Sequence, residues 1–207
     1  MTSELPSKDT AYCFDLDGTI TQAELLPRIA AEIGLGEDMA ALTQATMEGH
    51  IAFEPSLRHR CRLLAEIAPE TIRRVVSDVP LDPDILQFIQ EHRDDCFILT
   101  SNLDIWIKPI VERCECRTYS SEGVYRNGTL ELTSILNKAQ SLRQIRESLG
   151  YRRIIAVGDG ANDAAMLSEA TIGIAFGGVH TPAASAIEVA QHVVNDGQAL
   201  CGLLRSV

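Results

Sequence analysis

Asp15 and Asp17 stand one residue apart in Phe14-Asp15-Leu16-Asp17-Gly18-Thr19, at the end of a short apolar run. Gly18 behind them permits a tight turn. A second acidic cluster, Gly158-Asp159-Gly160-Ala161-Asn162-Asp163, closes another apolar run and opens a helical pattern. Carboxylates gathered on one rim repel strongly unless a cation neutralises them. The donors are hard oxygens with no His or Cys beside them at metal-ligand spacing, so Mg²⁺ is the expected ion rather than zinc. The five histidines share no spacing and read as non-catalytic, and Cys114-x-Cys116 is too sparse for a metal site. Thr100 ends a third apolar run and offers a hydroxyl, and Lys138 heads a helical pattern that leads towards Asp159. An acidic rim holding Mg²⁺, completed by a hydroxyl and a lysine, can bind a phosphate.

The elements that would position these groups follow from the apolar pattern. Ala11–Phe14, Cys96–Leu99 and Ile154–Val157 are continuous apolar runs, the mark of strands buried on both faces in a parallel sheet. Helical stripes lie between them: Asp82-Pro83 opens one with Ile85, Leu86 and Ile89, Asn137 opens another that stops at Gly150, and a third starts near Asn162. Runs at 171–176 and 192–194 extend the sheet, and Asn127-Gly128 marks a small hairpin over Val124–Leu130. Residues 1 to 10 read as a loose leader. The expected fold is a doubly wound α/β sheet, in which ligands bind beyond the carboxyl ends of the strands. Asp15, Thr100 and Asp159 fall at three such ends.

Residues 20–79 break the rhythm with helical patterns only, near 24–33, 37–48, 54–67 and 69–78. That is too long for a plain crossover. It reads as an inserted helical cap, leaving 1–19 and 80–207 as the catalytic core. On the helix from Glu54, Leu57, Arg60, Cys61 and Leu64 share a face, which places Arg60 within an apolar stripe. A guanidinium there needs a carboxylate, either from the cap itself or, bidentately, from an amino-acid substrate.

Size and composition set the bounds. A chain of 207 residues, 45 % hydrophobic and 23 % charged, is globular. It should bury roughly 70 % of its unfolded surface. Eighteen basic residues against 29 acidic ones give a net charge of −11, which argues against nucleic acid or an anionic membrane as partner. Six cysteines with no C-x-x-C, and no signal-peptide pattern or membrane-length apolar segment, point to a reducing cytoplasm.

Phe14 to Thr19, then Leu99-Thr100-Ser101-Asn102, then Lys138, then Gly158 to Asp163 resemble, in order, the four motifs of the haloacid dehalogenase (HAD) superfamily. The resemblance spans nearly the whole chain. Met47-Glu48-Gly49, Phe53-Glu54 and Ser56 to Arg60 are similar to the helical cap of the phosphoserine phosphatase family, and Glu24 falls where that family places a substrate-reading glutamate. The resemblance implies a HAD-like α/β/α core and an aspartyl-phosphate mechanism, with Asp15 as nucleophile and Asp17 as general acid and base. It implies that Thr100 and Lys138 hold the phosphoryl oxygens. It places Mg²⁺ on Asp15, the Asp17 backbone carbonyl and Asp159, with Asp163 orienting the metal water or Lys138. The implied substrate is a small phosphorylated molecule, an amino-acid phosphate such as phosphoserine, as in serine biosynthesis. It would be read by Glu24, Arg60, Met47, Phe53, Ser101, Asn102 and Asn162.

Glu24 also stands four residues before Arg28, where it could form a helix-surface pair, and Met47 and Phe53 could be plain core. The chain departs from the family at Gly18, where Ser is usual, and at Thr100-Ser101-Asn102-Leu103, where Ser-Gly-Gly-Phe is usual. Other functions therefore stay open: a HAD phosphatase or phosphotransferase on another small phosphomonoester, and a non-catalytic binding protein that keeps the fold.

Overall fold

The computed structural model describes residues 8–207. Its strands are β1 (Lys8–Phe14), β2 (Cys96–Leu103), β3 (Arg117–Arg126), β4 (Thr129–Ser134), β5 (Tyr151–Gly158), β6 (Ile172–Phe176) and β7 (His192–Val194). They form one seven-stranded sheet in the order β4-β3-β2-β1-β5-β6-β7. All neighbours pair in parallel except β3 and β4. Of the expected leader, residues 8–10 belong to β1, where Thr10 pairs with Arg153, and residues 1–7 lie outside the described residues. The expected hairpin is the tip of the longer β3–β4 pair. Asn127 and Gly128 both take positive φ, 51° and 81°, as its tight primed turn requires.

The apolar runs are continuous because each strand feeds two cores. Phe14, Ile98, Ile155, Val157 and Phe176 face one layer, and Cys13, Phe97, Leu99, Ile154 and Ala156 face the other. The helices are α1 (Leu25–Ala31), α2 (Gly36–Met47), α3 (Phe53–Leu63), α4 (Pro69–Ser77), α5 (Pro83–Glu91), α6 (Asp104–Cys114), α7 (Lys138–Leu149), α8 (Ala164–Glu169), α9 (Ala184–Val189) and α10 (Gly197–Leu204). Ile85, Phe88 and Ile89 of α5 and Trp106, Ile107 and Ile110 of α6 fill the first layer. Leu142 and Ile145 of α7 with Met166 and Leu167 of α8 fill the second.

Two helix starts are fixed by side chains. Asp82 accepts from the N–H groups of Asp84 and Ile85, with Pro83 in the first turn, and Asn137 accepts from Gln140 N at 3.0 Å. Gly150, at φ 75°, ends α7. The stretch α1–α4 leaves and rejoins the sheet at a single point. Thr21 bridges Leu81, Gln22 N donates to Pro80 O at 2.9 Å, and Asp82 N donates to Ile20 O at 2.9 Å.

Candidate active site

The carboxyl ends of β1, β2 and β5 lie side by side in the sheet, so the groups that follow them share one rim. Asp15 N donates to Val157 O at 2.8 Å, which ties the first acidic residue to the neighbouring strand. The chain then turns through Gly18 at φ 71°, and Ile20 and Thr21 N–H both donate to Leu16 O at 2.9 Å. A Cβ on Gly18 would stand 2.7 Å from Asp159 Oδ2, so the two acidic loops pack with no room for a side chain there.

Lys138, at the first position of α7, is 5 % exposed and forms ion pairs with Asp15 and, at 2.5 Å, with Asp163. Asp163 Oδ2 also accepts from Asp159 N at 3.2 Å and Gly160 N at 3.0 Å. That carboxylate thus holds both the lysine and the loop, in line with an orienting role. Burial pulls the Lys138 ammonium down, but the charges of Asp15 and Asp163 outweigh it and keep its pKa above the ordinary lysine value. Burial, then the Asp163 charge, pushes the Asp15 carboxyl well above the usual carboxylate range, against the pull of Lys138. Burial and then Glu24 do the same to Asp17, opposed by a hydrogen bond from Asn102. Asp159 is pushed up to about 6 by burial, against the neighbouring imidazole of His180.

Asp15, Asp159 and Asp163 present carboxylate oxygens within 4.8 Å of one another, all from buried residues. Buried acids held this close, with the carboxyls of Asp15 and Asp159 raised, form a hard-oxygen site that a divalent cation would neutralise. The side chain of Asp17 lies outside that group.

A small cavity of about 40 Å³ sits over this rim. The core lines it with Asp15, Asp17, Thr100, Ser101, Asn102, Lys138 and Asn162, and the helical stretch lines it with Glu24, Met47, Phe53 and Arg60. Every residue that the sequence put forward for catalysis or substrate reading therefore meets at one place. Arg60, 5 % exposed, donates to Thr43 Oγ1 at 3.1 Å, and its Nε has no hydrogen-bond partner among the described residues. Among the described residues no carboxylate lies within ion-pair distance of it. Burial lowers its pKa, opposed by Asp17 and then Glu24. The expected alternative of a cap carboxylate bridging Arg60 is not what the fold provides.

His180, which the sequence read with the other histidines as non-catalytic, stands at the rim, its Nε2 3.0 Å from Asp159 Oδ2 and 3.2 Å from Glu24 Oε1. Hydrogen bonding to Asp159, then to Glu24, holds this imidazole up at about 10. Glu24, Asp159 and His180 could themselves surround a metal ion. Glu24 faces this histidine, a partner other than the helix-surface Arg28. Residue spacing carries no signal for His180. Its position in the loop after β6 does, because that loop leaves the carboxyl end of a strand next to β5. A larger cavity, about 900 Å³, opens beyond it between α1, α2 and residues 180–184.

The profile of the haloacid dehalogenase-like hydrolases matches residues 13–168. A probable phosphoserine phosphatase of Schizosaccharomyces pombe is 30 % identical over 82 % of this chain and 62 % of its own length. The phosphoserine phosphatase of Halobacterium salinarum is 32 % identical over 78 % of this chain and 82 % of its own. This chain spans less than two thirds of the S. pombe relative and 51 % of the phosphoserine phosphatase of Archaeoglobus fulgidus. The structure of a substrate-bound phosphoserine phosphatase superposes with a TM-score of 0.84 at 24 % identity, covering 99 % of this chain and all of that one, and supports the fold.

Proposed function

The chain belongs to the haloacid dehalogenase-like hydrolases, and from that premise we propose that it is a Mg²⁺-dependent phosphomonoesterase that hydrolyses O-phosphoserine. The single observation that carries the substrate is Arg60. It is a buried guanidinium with an unpartnered Nε, lining the cavity that holds Asp15. A cation left in that state waits for an anion from outside the chain, and an α-carboxylate fits its fork. Glu24 on the same wall would take the ammonium.

In this reading 20–79 is a cap over a core formed by the remaining chain, and Met47 and Phe53 supply its apolar lid. Asp15 attacks phosphorus in line, and the ester P–O bond breaks as the new bond to Asp15 forms. Asp17 gives its proton to the departing alkoxide and later takes one from the water that splits the aspartyl-phosphate. The raised pKa of Asp17 suits it to hold that proton. The hydroxyl of Thr100 accepts Asn102 N–H at 3.1 Å, so its own hydrogen is free for a phosphoryl oxygen. Lys138, held above the rim by Asp15 and Asp163, offsets the charge that builds there. Asp15, Asp159 and the Asp17 carbonyl would hold Mg²⁺, which when bound offsets carboxylate and phosphate charge.

The test is kcat/KM for phosphoserine against phosphothreonine, phosphoethanolamine and sugar phosphates, with Mg²⁺ and with EDTA, and Asp15→Asn as the blank. Phosphoserine should lead, and both EDTA and Asp15→Asn should abolish turnover. A better substrate without an amino acid would overturn the assignment. A second reading rests on Ser101 and Asn102, whose side chains line the wall where the resembling family has glycines. That wall suits a related small phosphomonoester or an acceptor alcohol, and transfer of phosphate to added homoserine would favour it.

A further inference from the structure

Asn102 is 6 % exposed, and its Nδ2 donates to Asp17 Oδ2 at 2.7 Å. The residue sits where the pairing of β2 with β3 slips between Thr100 and Leu103, so the strand end itself aims the side chain at the acidic loop. The other oxygen, Asp17 Oδ1, has no hydrogen-bond partner among the described residues, and Asp17 lines the cavity shared with Asp15 and Thr100. The two oxygens of this carboxyl group are therefore unequal. One that accepts an amide N–H cannot point its own hydrogen at the same donor, so the acid form carries its hydrogen on the other. Resting on the phosphatase reading above, we infer that Asn102 is a positioning residue that fixes Asp17 so that Oδ1 carries the proton of the reaction.

As the Asp15–phosphorus bond forms and the ester P–O bond breaks, the electron pair leaves on the ester oxygen, which takes the proton from Asp17 Oδ1. In the second half, a water oxygen bonds to phosphorus, the Asp15–phosphorus bond breaks, and Oδ1 takes the proton of that water. Oδ2 keeps its hydrogen bond to Asn102 throughout.

A leaving group that needs no proton should be indifferent to Asn102. The experiment compares kcat/KM of the wild type, Asn102→Ala and Asn102→Leu on phosphoserine, phenyl phosphate and p-nitrophenyl phosphate with Mg²⁺. This ratio covers steps only through departure of the leaving group, so later hydrolysis of the phospho-enzyme drops out. Full general acid catalysis contributes about 10²–10⁴-fold. The expected falls, as part of that, are about 30-fold for phosphoserine, about 10-fold for phenyl phosphate and under about 3-fold for p-nitrophenyl phosphate. Activity on the nitrophenyl ester also proves that the variants fold. Equal falls on all three substrates, or no fall, would overturn the inference in favour of a structural role. A fall confined to phosphoserine, with the two aryl esters alike, would overturn it in favour of a substrate contact. No wild-type turnover on any of the three would instead sink the phosphatase reading on which it rests.

Discussion

A buried guanidinium with an unmatched N–H burdens the free protein by about 1–3 kcal/mol, the desolvation of a donor left without an acceptor. Arg60 is such a group, with only the hydroxyl of Thr43 to receive it among the described residues. Replacing buried charge by an apolar side chain of similar volume is often neutral or stabilising. Arg60→Met should therefore leave the melting temperature of the free protein unchanged or raised. The same change should cut kcat/KM for phosphoserine by about 30-fold or more, since a charge-assisted pair contributes on the order of 2 kcal/mol. Phosphoethanolamine, which has no carboxylate, should be hardly affected. A lowered melting temperature with unchanged preference would make Arg60 a structural residue. The apolar stripe Leu57-Arg60-Cys61-Leu64 already singled this arginine out in the sequence, because helical spacing alone places it inward. His180 had no such signal. It meets Glu24 across 156 positions, a pairing that only the return of the chain after β6 creates.

Between elements, the end of α2 packs against the loop after β5. A Cβ on Gly160 would stand 2.4 Å from Met47 Cε. Met47 is flexible and its methyl can swing aside, as must Asn162 Oδ1, 2.5 Å from the same point, so Gly160→Ala should fold while displacing the lid over the cavity. Overpacking of this kind costs about 1 kcal/mol at its cheap end. The expected outcome is a KM for phosphoserine raised about 3- to 10-fold, with much of the loss restored when Met47→Ala is added. An unchanged KM, or no restoration in the double variant, would show that α2 does not close on this loop. The elements that carry the site were legible because both faces of β1, β2 and β5 are buried, which turns each into an unbroken apolar run. Asp82-Pro83 and Asn137 announced their helices by cap chemistry. Helix α6 was not legible. Pro109 stands inside it, although Trp106, Ile107, Ile110 and Cys114 form its buried stripe. Strand β3 was read only at its hairpin end, since most of its residues are half-buried and polar at the sheet margin.

Across the whole molecule the six cysteines are free thiols, and all but Cys116 are buried. They lie in both packing layers, so their ionisation reports on the fold as a unit. Burial pushes Cys61, Cys114 and Cys201 up to about 11 and Cys116 to about 12, and it raises Cys13 and Cys96 further still. Thiols in an unfolded chain titrate near ~8.5. Above that pH the unfolded chain gives up protons that the native chain keeps, so stability is full below it and falls as pH rises. His180, held up at about 10, acts in the same direction from lower pH. The thiol share must therefore be read by difference. The urea midpoint, measured in reductant with EDTA, should drop between pH 7.5 and 9.5. Cys96→Ala should flatten that drop by about 1 kcal/mol, the value of less than one pKa unit per thiol at the upper pH. In parallel, a thiol reagent at pH 8 should label the native protein slowly at Cys116 and reach all six sites only after denaturant is added. Rapid labelling of several thiols in the native protein, or a slope unchanged by Cys96→Ala, would mean that the two cores open far more readily than their packing implies.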